Sequence, residues 1–67
     1  MRVTEWNGMV SRETQVKVAG LRGMFTFIAA YVDGDRCDHV QVIGGTANHR
    51  LMRAFEPDRI VVPKGRR

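Results

Sequence analysis

The sequence contains one cysteine, Cys37, and two prolines in 67 residues. A single cysteine excludes an intramolecular disulfide, and with only two histidines beside it, His39 and His49, the supply of ligands for a structural zinc site is thin. Aromatic residues are sparse too: one Trp, one Tyr and three Phe. No apolar run approaches the ~20 residues that cross a bilayer as a helix. The opening MRVTEWNGMV has none of the continuous apolar stretch of a secretory signal. No membrane association is therefore expected, and a cytoplasmic location fits the one free thiol. Internal repeats and low-complexity segments are absent. A chain this short holds one domain whose apolar burial only narrowly offsets chain entropy, so its stability must come from closed β pairing, from oligomerisation, or from both.

Eleven Lys and Arg against seven Asp and Glu give a net charge of +4. This balance attracts polyanions and raises encounter rates with nucleic acid, without saying anything about the fold.

From Gln15 to Pro63 an apolar-rich stretch is cut by turn signals into five strand-length pieces. Gln15–Val18 alternates, with Val16 and Val18 on one face and Gln15 and Lys17 on the other. AGLRG follows, its two glycines permitting a tight loop with Leu21 and Arg22 at the tip. The longest strand, over 24–32, is apolar on both faces and is expected to bend, with Phe25, Phe27, Ala29 and Tyr31 together on one side. Asp33-Gly34 marks a hairpin, and 37–43 returns with Val40 and Val42 on one face and His39, Gln41 and Ile43 on the other. In the fourth piece, 49–55, volume favours Leu51 and Phe55 inward over Met52 and Ala54. Glu56-Pro57-Asp58 predicts a single helical turn before a short last strand over 59–62. Residues 1–14 show no sustained period and read as an N-terminal arm, with Trp6 lying over one end of the barrel, while 64–67 (KGRR) form a basic tail.

The expected fold is thus all-β: a small five-stranded barrel over 15–63. Its strand and turn pattern resembles the SH3-like barrel superfamily. Within that superfamily VKVAGLRGMF, from Val16 to Phe25, resembles a KOW-type motif of ribosomal proteins and transcription elongation factors, with Gly20, Arg22 and Gly23 at the loop positions. Thr26 stands where that motif has a further glycine. This resemblance implies nucleic-acid binding. MRAFEPDRIVVP, from Met52, is similar to short proteins of actinobacteria and their phages, which implies an accessory or host-directed factor and brings no activity with it.

Catalysis is not expected. It needs titratable groups converging in a cleft, and no nucleophile signature surrounds Cys37, His39 or His49. No metal or other cofactor is expected either. The better lead is the basic set Lys17, Arg22, Arg50, Lys64, Arg66 and Arg67, which suits RNA or DNA phosphates, with Tyr31 or His39 available to stack a base. Against this, several arginines, Arg53 and Arg59 above all, can instead pair with carboxylates around the EPD turn. The alternative is a protein-interaction module or homodimer using a strand edge and a surface of Trp6, Ile43 and Met52. Met9 and Met24 belong either to such a patch or to the core.

Overall fold

The computed structural model describes residues 1–44 and 51–62. The chain is mostly β, with strands β1 (Arg2–Val3), β2 (Glu5–Trp6), β3 (Met9–Val10), β4 (Gln15–Val18), β5 (Phe25–Asp33), β6 (Arg36–Gly44), β7 (Leu51–Phe55) and β8 (Ile60–Val61). A 3-10 turn, Pro57–Arg59, separates β7 from β8, as the EPD sequence predicts. Among the described residues no helix is long and apolar enough to cross a membrane.

The sheet runs in the order β7-β6-β5-β4-β8, with β1 added beside β5, and β2 and β3 form a separate hairpin. The five expected strands are all there, yet the expectation of a closed five-stranded barrel is corrected in two ways. Among the described residues there are eight strands, and the sheet ends β7 and β8 are not paired with each other. Both follow from local geometry. The two residues of β8 are registered on β4, Ile60 with Val18 and Val61 with Lys17, and the other edge of this short strand has no ladder to β7. The extra strands come from the first ten residues. Asn7 (φ 51°) and Gly8 (φ 83°) both adopt the positive φ of a type I′ turn, so Trp6 pairs with Met9 across a tight hairpin.

The core is Met9, Val16, Val18, Phe25, Phe27, Ala30, Val40 and Val42, bordered by Val3, Trp6, Leu21, Val32, Cys37, Phe55 and Ile60. Val16 and Val18 are buried and Gln15 and Lys17 exposed, matching the alternation of β4. Met9 belongs to this core rather than to a surface patch, because the β2–β3 hairpin folds it inward.

Two register shifts shape β5 and β6. Phe27 pairs with Val42 but Ala29 with Gln41, so Ile28 is an extra residue. The core-facing set therefore passes from Phe25 and Phe27 to Ala30 and Val32, and the expectation that Ala29 and Tyr31 share the face of the phenylalanines is overturned by this bulge. The second shift makes Asp38 extra on β6, which leaves Cys37 facing the core opposite Val32 and His39 facing outward opposite Tyr31.

β7 has the phase that volume favours, since Leu51, Arg53 and Phe55 oppose Gly44, Val42 and Val40. Leu51 nonetheless remains 57% exposed, because β7 is the edge of an open sheet and only Phe55 reaches the core. Gly44 is buried where a Cβ would lie 2.9 Å from the Met24 carbonyl oxygen and from Phe25 Cδ2. The β5–β6 crossing there admits no side chain.

Candidate functional site

The inward face is filled by the core, so the side chains available for recognition lie on the outer face of the sheet and at its loops. The register places Arg2, Tyr31 and His39 in one outward row across β1, β5 and β6. Ala29, Gln41 and Ala54 form the next row. Gln15, Thr26, Ile43 and Met52 form the third, across four strands. Lys17 follows Gln15 in the same phase of β4 and extends this face toward β8.

The Tyr31 and His39 rings are stacked, 4.4 Å between centroids and 19° from parallel. The His39 imidazole is held from its edge by Asp38, with Nδ1 2.8 Å from Oδ2, an arrangement that follows from the bulge at Asp38. At the other end of the face, Arg12, Thr26, Ile28, Ile43 and Met52 line a shallow hollow of about 390 Å³. Arg12 adopts a positive φ of 67°, unusual for a residue with a side chain, while its N–H donates to the Phe27 carbonyl at 2.8 Å. That bond ties the 11–14 segment to the bulged part of β5.

Of the expected basic set, Lys17 is exposed on β4 and Arg22 is exposed in a loop whose Gly20 and Gly23 both have positive φ. Leu21, expected at the same tip, turns in against the core. Arg50, Lys64, Arg66 and Arg67 lie outside the described residues, as does His49. β8 pairs with β4 and brings Val61 beside Lys17.

The expected interface set divides. Ile43 and Met52 are cross-strand partners, Met52 being 54% exposed. Trp6 lies elsewhere, half-buried against the core in a hollow it shares with Met1, Val3 and Val32.

Arg59 is structural, by a route other than the carboxylates around the EPD turn. Its Nη2 donates to the Ala19 carbonyl at 2.8 Å and its guanidinium lies 5.1 Å from the Phe55 ring centroid. Arg53 is exposed, and among the described residues no Lys or Arg forms an ion pair with a carboxylate; Asp38 is instead hydrogen-bonded to His39. The acids are gathered instead. Asp33, Asp38, Glu56 and Asp58 line an open hollow of about 500 Å³ together with Arg36, Cys37 and Pro57. Burial pushes the Cys37 thiol above its ordinary value, the Asp38 carboxylate adding to the effect, so the reactive thiolate is disfavoured there. Among the described residues no three His, Cys, Asp or Glu side chains converge as a metal site.

Sequence reasoning missed Arg2 and Arg12 as candidates. Arg2 joins the outward row only through the two-residue β1, and Arg12 reaches the face only through an unusual backbone conformation. Neither feature has a periodic signature. No protein-family model, no curated protein and no solved structure matches the chain.

Proposed function

We propose that the chain is a non-enzymatic binding module of SH3-like topology, working in the cytoplasm, that contacts nucleic acid or a nucleoprotein complex through its basic surface. The topological likeness is supported by the order β8-β4-β5-β6-β7 and by the single 3-10 turn between β7 and β8. The functional reading rests on the segregation of charge. Five of the seven acidic residues, Asp33, Asp35, Asp38, Glu56 and Asp58, belong to the β5–β6 hairpin and the EPD turn, while Lys17 and Arg22 are exposed on β4 and the loop beyond it with no carboxylate partner among the described residues. Cations left in this state exchange counterions for phosphates readily. Arg50, Lys64, Arg66 and Arg67 complete the proposed set.

The test is binding to labelled RNA and DNA over a salt series. Affinity should fall steeply with added salt, and Lys17→Ala, Arg22→Ala or removal of residues 64–67 should weaken all sequences alike. Absence of binding at low salt would overturn the reading.

A second reading is favoured by one observation. Among the described residues β7 is an open edge carrying exposed Leu51 and Met52, so a protein strand or a second copy of this chain can add to it. Binding that survives added salt and fails in Met52→Glu would support this reading over the first.

A further inference from the structure

We infer that the outer face of the sheet is a single-strand nucleic-acid platform on which the Tyr31–His39 pair stacks a base and Arg2, Arg12 and Lys17 take phosphates. This rests on the nucleic-acid reading above and names its ligand class and a second group of residues.

Three observations converge. The first is the aromatic pair itself. Two rings already parallel at 4.4 Å form a short stack, and a third flat ring extends it with little loss of side-chain freedom. No strand pairs beside His39, because β7 ends its pairing at Phe55 opposite Val40, and the His39 side chain is 31% exposed. The Asp38 carboxylate meets the ring at its edge, at Nδ1, and so fixes the imidazole without covering its face.

The second observation is the relief of the face. In the middle row Ala29 is buried, Gln41 is half-buried and Ala54 is exposed, while the rows beyond it carry the aromatic pair on one side and Ile43 with Met52 on the other. The small Ala54 beside Gln41 leaves a shallow trough over β6 and β7 between those rows. Rows of one face lie ~7 Å apart along a strand, so the trough suits two or three bases, the number that sheet-face aromatics of RNA-binding modules commonly accommodate. Gln41 offers both a donor and an acceptor to a base edge from its floor.

The third is charge. No Asp or Glu occupies an outward register position in the three rows, whereas Arg2 stands directly opposite Tyr31 and Arg12 lines the hollow beside Thr26 and Ile43. Lys17 continues the same phase of β4. Cations along the margin of an aromatic and apolar trough match a single strand, whose bases are free to leave the backbone and lie on the sheet. A duplex keeps its bases stacked inside and offers the rings nothing.

The experiment compares oligo(dT) and oligo(U) with an abasic strand of equal length and with a duplex, on the wild-type protein and on Tyr31→Ala, Tyr31→Phe and His39→Ala. The platform predicts that the base-bearing strands bind more tightly than the abasic strand and the duplex. It predicts a loss of about 5- to 100-fold in Tyr31→Ala, a smaller loss in His39→Ala, and near wild-type binding in Tyr31→Phe. Equal affinity for abasic and base-bearing strands would overturn the platform and leave the phosphate-binding surface intact. Failure of every oligonucleotide to bind at low salt would overturn both. The abasic comparison uses the wild-type chain, so the result does not depend on any variant folding.

Discussion

Replacing Arg59 by alanine tests whether this residue serves the fold rather than a ligand. Its guanidinium joins the 3-10 turn to the β4–β5 loop through the 2.8 Å hydrogen bond to the Ala19 carbonyl, and it covers the Phe55 ring at 5.1 Å. A hydrogen bond from a charged donor contributes about 1.5 kcal/mol at the lower, exposed end of its range, and an exposed cation–π contact about 0.5 kcal/mol. The expected loss is therefore about 2 kcal/mol, against a total stability of roughly 3 to 10 kcal/mol for a chain of 67 residues. In a domain of this size that lowers Tm by about 8 to 16 °C. Thermal and urea unfolding followed by circular dichroism measures both quantities. Arg59→Lys should recover only part of the loss, since an ammonium has no planar fork to lie over Phe55 while donating to Ala19. A loss below about 0.5 kcal/mol, the range of an ordinary surface substitution, would refute the reasoning. So would a large loss of nucleic-acid affinity at temperatures where the variant is fully folded.

Other outcomes are expected from the same structure. Gly44→Ala should destabilise by about 1 to 3 kcal/mol, as overpacking does, because its new methyl meets the Met24 carbonyl and the Phe25 ring at 2.9 Å; urea unfolding measures it. Asn7→Ala should lose about 1 kcal/mol at its positive φ, and Asn7→Gly should unfold close to wild type, since glycine accepts that conformation freely. For Cys37 the folded-state pKa is raised by burial, so above the ordinary thiol value, about 8.5, the unfolded chain gives up the proton first. The native state then binds more protons than the unfolded one, and stability should fall as pH rises through that range. Cys37→Ser should remove this part of the pH dependence in unfolding curves measured on both sides of it.

The strands of the central meander are legible because their signals are local. Gln15–Val18 alternates in four residues, and Asp33-Gly34 brings the chain back with Gly34 at the positive φ the turn requires. The Trp6-Asn7-Gly8-Met9 hairpin carries an equally local signal, the Asn-Gly pair. It is masked by flanking strands of two residues, too short to show any alternation, so the segment reads as an arm. The bulges have no such signature. Ile28 continues an unbroken apolar run, and only its pairing with β6 reveals that the inward phase changes there. Leu51 illustrates the remaining limit: its phase follows from the pattern of β7, but its exposure depends on what lies across an edge that the sheet leaves open. The site was legible as residue types, cations with a tyrosine and a histidine. Their juxtaposition was not, since the Arg2–Tyr31–His39 row needs long-range pairing of β1, β5 and β6.

The most direct test of the account is a titration of the isotope-labelled chain with single-stranded oligonucleotide, followed residue by residue by NMR. The account predicts shift changes at Lys17 and Arg22 and at the Tyr31 and His39 rings, fading together as salt is raised. No change at low salt, or changes confined to β7 around Leu51 and Met52, would contradict it.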